Sequence, residues 1–321
     1  MPFRRREYRM PNIRSSLLVC VVFLCIGAVA AHAAEPPVPP AGESGFRWID
    51  ALVLGVVEGV TEYLPVSSTG HLLLAQHLMG LSASDKSKQA ADAYAIIIQI
   101  GAILAVLGLY RRRIGQMILG LLGRNPGGAN LLAMLLIGFM PAAVVGLALG
   151  DTIKTYLFGP WPVVVGWLVG GLAILARPWE KFGRRAIPLA SVEDICWRQA
   201  LTIGALQILA LWPGVSRSLT TIVGGMIAGL EIAAAVEFSF LLGLVTLGAA
   251  TVYEMLDQGR TVVTAYGIAL PMAGIICSLV SAWLSVKWLV GYLKRSGLVL
   301  FGYYRVFLAL ITGMLLIAGV L

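Results

Sequence analysis

Glu58-Gly59-Val60-Thr61-Glu62-Tyr63-Leu64-Pro65-Val66-Ser67-Ser68-Thr69-Gly70-His71 interrupts an otherwise apolar stretch, residues 47–80, with acids, a proline, hydroxyl side chains and a glycine. A second apolar stretch, 199–230, is broken in the same manner by Trp212-Pro213-Gly214-Val215-Ser216-Arg217-Ser218. Each break has an arm of helical length on both sides. Bare backbone at such a break is tolerated in a bilayer only when buried in protein or facing a water-filled cavity. Both stretches therefore read as re-entrant hairpins that enter and leave the membrane on one side.

Working outward, six stretches at 92–110, 129–149, 160–177, 235–256, 264–286 and 298–321 are apolar and long enough to cross about 30 Å of hydrocarbon. The composition agrees. Of 321 residues, 59% are apolar and 12% charged, with a mean hydropathy of +0.87; a soluble domain is about 45–50% apolar and about 25% charged. These values exclude a water-soluble enzyme, a disordered chain and a coiled coil. Four Cys are too few for a disulfide scaffold, and Cys196 and Cys277 are expected to be buried packing thiols.

The net charge of +8 would suggest a nucleic-acid partner only if the basic residues formed one soluble face. They lie instead in short runs between apolar stretches, namely Arg111-Arg112-Arg113, Lys181 with Arg184-Arg185, and Lys294-Arg295. That is the pattern of cytoplasmic loops in a membrane protein, and no nucleic-acid partner is expected. Residues 1–33 combine a basic start, an apolar run from Leu17 to Ala30 and Ala31-His32-Ala33, which reads as a secretory signal peptide. Its five Arg and one Glu account for half of the net charge, which falls to +4 without them. A Pro-rich linker, 34–45, then precedes a membrane domain spanning 46–321.

With the mature N-terminus outside, an outward-opening first hairpin and three spans place Arg111–Arg113 and Lys181–Arg185 inside, and Asp151 and Lys154 outside. The second hairpin then opens from the inside, and three more spans leave Lys287, Lys294 and Arg295 inside. Every basic run falls on the cytoplasmic side. The fold class is thus an all-α integral membrane protein of six transmembrane helices and two re-entrant hairpins. Two half-repeats, 47–177 and 199–321, have opposite orientation. When Val66-Ser67-Ser68-Thr69 is laid on Val215-Ser216-Arg217-Ser218, Gly55 meets Gly204 and Glu58 meets Gln207. Paired broken helices in inverted repeats bring their tips together near the midplane, where a site is built.

Glu58 and Glu62 are four apart on a helical run, so they project from one face. Ionised carboxylates in an apolar segment are costly and mark function. Two of them favour a divalent cation or a shared proton. Ser67, Ser68, Thr69 and His71 follow, offering hydroxyl nucleophiles beside a histidine that can act as acid or base. Gly214 allows close backbone approach, helix starts bind anions, and Arg217 supplies a planar fork suited to phosphate. With Ser216, Ser218 and Thr221, these residues form the chemistry of a phosphate cradle that lacks the Lys of a P-loop. Without such a ligand, Arg217 at membrane depth would need a buried acid partner, for which Glu58 or Glu62 could serve. Arg305, inside the last span, could snorkel or act as a second phosphate ligand. Gln99 and Gln207 could orient water or a metal, Glu237 reads as interfacial, and His77 as structural.

These two motifs resemble the signatures of the undecaprenyl-diphosphate phosphatases, the bacitracin-resistance family. The resemblance runs from about Phe46 to the C-terminus and takes in Gln99, Asp151-Thr152-Ile153-Lys154, Glu237-Phe238-Ser239-Phe240 and Tyr304-Arg305. It implies hydrolysis of undecaprenyl diphosphate to the monophosphate and inorganic phosphate, which recycles the lipid carrier for cell-wall synthesis and confers bacitracin resistance. It also implies a divalent cation, Mg or Ca, held by Glu58 and Glu62. The catalytic set it implies is Glu58, Glu62, Ser68, His71, Ser216 and Arg217. Ser67, Thr69, Gly214, Ser218, Thr221 and Arg305 would bind substrate, at a site facing the periplasm from the inner membrane. Two departures stand out: the extension before Phe46, and Leu219-Thr220 where smaller residues are expected beside the cradle. A homodimer is left open by the sequence.

Two other classes compete. Ser68-Thr69-Gly70-His71 superficially matches the lipid phosphatases with a vanadium-haloperoxidase-like site. No His follows Ser216-Arg217, however, so a covalent-histidine mechanism has no nucleophile. Inverted repeats with broken helices are also a transporter architecture, which makes a polyprenyl-phosphate flippase the alternative.

Overall fold

The computed structural model describes residues 46–81, 85–176, 192–319 and 321. The expected signal peptide and linker, and the Lys181–Arg185 run, lie outside the described residues. Those residues hold eleven α-helices and no strands. The helices are α1 (Trp48–Thr61), α2 (Ser68–Leu78), α3 (Asp85–Leu109), α4 (Arg111–Leu121), α5 (Pro126–Leu157), α6 (Pro160–Ala176), α7 (Trp197–Gln207), α8 (Arg217–Ile227), α9 (Ile232–Tyr266), α10 (Ala269–Ser296) and α11 (Val299–Ile317).

The sequence reading of two broken stretches matches this order. Pro65 and the N-cap Ser67 separate α1 from α2, and a short 3-10 turn, Ile208–Leu211, followed by Trp212–Ser216, separates α7 from α8. Among the described residues five helices are long and apolar enough to cross a membrane, and α6, at the place of the third expected span, is apolar over the 17 residues described. The break expected between 256 and 264 is misplaced. Asp257, Gly259 and Arg260 continue α9, which ends at Gly267 with φ of 69°. Solvated charges do not terminate a helix, whereas a glycine in the left-handed region does.

The outer surface carries apolar rows at helical spacing. Leu136, Met140, Val144 and Leu147 are exposed on α5, and Met272, Ile276, Val280 and Leu284 on α10. Such stripes suit lipid rather than water, and the chain is a multi-pass membrane protein. Inside, close backbone approach governs the packing. α1 lies on α10 with Gly55 against Gly274, and α7 lies on α5 with Gly204 against Gly138. α3 packs on α9 and α10, α8 on α9, and α6 on α11.

Two sets of ion pairs lie well apart along α9. Glu237 near its start takes Arg113 at 2.7 Å, and Arg113 also reaches Glu193 at 2.5 Å. Glu254 pairs with Lys154 at 3.8 Å, about 25 Å further along at the helical rise. Glu237, expected to be merely interfacial, thus ties α9 to the Arg113 end. A second correction concerns the thiols. Cys196 is exposed at the N-cap of α7, two residues after the acidic 3-10 turn Val192–Asp194, and Cys277 is half-buried.

Candidate functional site

The two breaks meet. Ser67 and Ser216 are the two non-glycine residues with positive φ among those described, at 73° and 79°. Each caps the helix that follows, accepting the amide of Gly70 or Leu219 with its hydroxyl oxygen. The Ser67 hydroxyl oxygen also accepts the Gly214 amide at 3.1 Å, and the Ser218 hydroxyl donates to the Leu64 carbonyl at 2.8 Å. Side chains thus close the interior polar groups that the breaks leave open.

Glu62 lies at this junction. One carboxylate oxygen takes Arg217 Nη2 at 2.8 Å, and the other accepts the Ser68 hydroxyl. Arg217 Nη1 reaches the Ser239 carbonyl at 3.3 Å, and the guanidinium lies 5.2 Å over the Tyr63 ring. The Arg217 and Glu62 side chains are only 10% and 5% exposed. A charge so far from water requires its partner. Gly243 leaves room for the fork, since a Cβ there would overlap Arg217 Nη1. Glu58 is buried beside Glu62, within hydrogen-bonding reach of it, and its Oε1 has no hydrogen-bond partner among the described residues.

Ser216 and Ser218 stand 3.0 Å apart. Because Ser218 spends its proton on Leu64, the Ser216 proton points to Ser218. Thr221 bonds the Arg217 carbonyl and the Ser239 hydroxyl. Leu219 packs into the apolar core with Val236 and Phe240, and Thr220 bonds back to the Arg217 carbonyl, so neither crowds the cradle. Thr69 is exposed.

His71 is placed differently from a base shared by the serines. Its Nδ1 meets the Ser67 carbonyl at 2.7 Å and its Nε2 the Tyr304 hydroxyl at 2.7 Å. A carbonyl only accepts, so in the neutral ring Nδ1 holds the proton and Nε2 accepts from Tyr304. The ring stacks on Tyr304 and stands edge-on to Trp167, whose indole donates to the Val66 carbonyl. Arg305 is fully buried and bonds backbone carbonyls. Gln207 and Gln99 accept Thr246 and Thr251, away from the Glu62 contacts. His77 is exposed at the end of α2, on a cavity of about 230 Å³ that also touches Gly70, Leu74, Lys88, Phe158 and Trp167.

The sequence reading assigned no role to Tyr63, Trp167, Ser239, Gly243 or Tyr304. Tyr63 adjoins Glu62 in the first motif, and Ser239 and Tyr304 lie within segments of the resemblance, so adjacency was their available signal. Nothing in the sequence alone pairs Trp167 with the first break.

Among the described residues no group of three or more His, Cys, Asp and Glu side chains could hold a metal alone. The unpartnered Glu58 oxygen beside Glu62 fits a hard cation held jointly by carboxylates and substrate phosphate oxygens.

Comparison with known proteins adds an independent line. The family model described as Bacitracin resistance protein BacA matches residues 51–311. A protein of Sorangium cellulosum (strain So ce56) named undecaprenyl-diphosphatase is 45% identical over 260 residues, covering 81% of this chain and 83% of its own. Undecaprenyl-diphosphatase 1 of Chromobacterium violaceum is 43% identical over 262 residues, covering 81% and 93%. The undecaprenyl-diphosphatase of Methylococcus capsulatus is 40% identical over 268 residues, covering 82% and 93%.

Proposed function

The chain belongs to the BacA bacitracin-resistance family, and from that premise we propose that it hydrolyses undecaprenyl diphosphate to undecaprenyl phosphate and inorganic phosphate. The observation that carries the chemistry is Glu62, which receives the Ser68 hydroxyl on one oxygen and the Arg217 fork on the other.

Of the two serines weighed as nucleophile, Ser68 alone donates to a carboxylate; the Ser216 proton is directed to another hydroxyl. Ser68 therefore attacks the terminal phosphorus while Glu62 takes its proton; the bond from that phosphorus to the bridging oxygen breaks, undecaprenyl phosphate leaves, and the phosphoryl group stays on Ser68 until water hydrolyses it. Arg217, drawn from Glu62 to the arriving phosphate, spreads its charge over the equatorial oxygens as the transition state forms. Glu58 and Glu62 would hold the divalent cation, whose chemistry is to neutralise charge on the diphosphate. His71, with Nδ1 on the Ser67 carbonyl and Nε2 on the Tyr304 hydroxyl, would act on the water that later releases the phosphate only through that hydroxyl.

We read the architecture as an inverted repeat. What supports it is reciprocal. Ser67 and Ser216, equivalent in the aligned motifs, share backbone conformation and cap. The first arm of each hairpin packs, glycine on glycine, against the middle long helix of the opposite half. The ion pairs along α9 set Arg113 and Lys154 on different sides; the basic runs of the sequence assign the Arg113 side to the cytoplasm, and a site facing the periplasm from the inner membrane remains part of this proposal. The direct test is phosphate release from undecaprenyl diphosphate by purified protein in detergent. Release there needs no second compartment, so it separates hydrolysis from transport; no release at saturating cation would discard the assignment.

A further inference from the structure

Arg305 presents a guanidinium with no exposure to solvent. Nη1 donates to the Pro65 carbonyl at 3.1 Å, and Nη2 donates to the Gly166 carbonyl at 2.9 Å and the Gly214 carbonyl at 2.7 Å. Pro65 belongs to the first break, Gly214 to the second and Gly166 to α6. One side chain from α11 therefore joins both breaks and the helix beside them. Its space is provided by Gly170, one turn after Gly166, where a Cβ would overlap Nη2.

A phosphate ligand needs its terminal N–H groups free to form parallel bonds to two oxygens. The bonds made by Arg305 are to main chain, and releasing them would take that donor from the buried Pro65 and Gly214 carbonyls, which lie outside any helix. Gly214 shows what the clamp controls. Its φ is 93°, its N–H is held by Ser67 and its carbonyl by Arg305, so groups from two other elements fix its peptide planes. Arg217 follows three residues later, and Pro65 stands three residues after Glu62.

We infer that Arg305 is a positioning residue, not a phosphate ligand: it holds the two breaks in the register that brings Arg217 onto Glu62. The inference rests on the phosphatase reading of the site.

The test uses the full-length protein in detergent with undecaprenyl diphosphate, comparing Arg305→Lys, Arg305→Gln and Gly170→Ala. The last keeps Arg305 and crowds its fork, so it decides the matter if the Arg305 variants do not fold. kcat, KM, inhibition by inorganic phosphate and the melting temperature are measured together. The expected result is a loss in kcat on the order of 10²-fold, the scale of a displaced catalytic group, with KM and phosphate inhibition unchanged. A raised KM with weaker phosphate inhibition and retained kcat would make Arg305 a ligand and overturn the inference. Wild-type kcat in folded Gly170→Ala and in whichever Arg305 variants fold would overturn it too, leaving a structural role. If the wild-type chain released no phosphate, the phosphatase reading would fail first and take the inference with it; intact wild-type release with either overturning pattern defeats the inference alone.

Discussion

Arg217 donates to Glu62 at 2.8 Å across 155 positions of sequence, and that carboxylate's second oxygen holds Ser68. Base, nucleophile and phosphate fork are therefore coupled through one side chain before substrate arrives. Arg217 must leave Glu62 to bind phosphate, and its departure frees the carboxylate to accept the Ser68 proton.

Glu62→Gln removes the base and leaves Arg217 facing a neutral amide. Turnover should fall on the order of 10²–10⁴-fold, the range for loss of a positioned base. Glu58→Gln should chiefly raise the cation concentration giving half-maximal activity, because Glu62 still serves Ser68, whereas Glu62→Gln loses the base and a cation ligand together. Cation titration of purified wild type and both variants checks this; near-wild-type turnover in both would remove the acid pair from the mechanism.

Arg217→Lys keeps the charge and loses the fork. Phosphate oxygens then meet a point charge instead of a bidentate donor, and the Ser239 carbonyl and Tyr63 ring lose a planar partner. A drop in kcat of about tenfold or more is expected, since each 1.36 kcal/mol of lost transition-state binding is a factor of ten. The melting temperature should change little. Full activity in Arg217→Lys would show that charge alone suffices.

Tyr304→Phe retains the ring stacked on His71 and deletes the hydroxyl on Nε2. If that bond orients His71, kcat should fall by about tenfold, the scale of 1.36 kcal/mol, and the change should vanish in a His71→Ala background. Additive losses in the double variant would place Tyr304 outside the His71 pathway.

The sequence disclosed the breaks, the acids and the Arg-bearing cradle because membrane depth makes such residues costly, so each stands out against an apolar background. It did not disclose the division of labour. Ser68 and Ser216 look equivalent in one dimension, and only the meeting of the breaks gives Glu62 to Ser68 and Ser218 to Ser216. Arg305 looks like a phosphate ligand because its bonds to three carbonyls link positions up to 240 apart. The helix of the span 235–256 runs further than that span: Asp257 and Arg260 continue α9, and Gly267 carries the backbone geometry that stops it.

Orientation can be read from a native thiol. Cys196 is exposed beside the turn whose Glu193 binds Arg113, and so belongs to the end expected in the cytoplasm. An impermeant thiol reagent should leave it unlabelled in intact cells and label it after lysis, with the signal absent in Cys196→Ser. A cysteine replacing Thr152 should react in intact cells. The opposite pattern at both positions would turn the site to the cytoplasm.

The nucleophile admits the sharpest experiment. A serine route passes through a phosphoenzyme and a direct water attack does not, so rapid quench with substrate labelled at the terminal phosphorus should trap label on the wild-type protein. The label should disappear in Ser68→Ala. Ser216→Ala should still form it, because the Ser216 hydroxyl contacts Ser218 and the Leu219 amide and no acid. Its cost should be chiefly structural: loss of a helix cap is worth about 1 kcal/mol, read as a lower melting temperature. Label retained in Ser68→Ala but lost in Ser216→Ala would exchange the two roles. If both variants keep most of their turnover and no label is trapped, water is the nucleophile and Ser68 lines the pocket; Glu62, already accepting one hydroxyl proton, would then be the base positioned to take a proton from water.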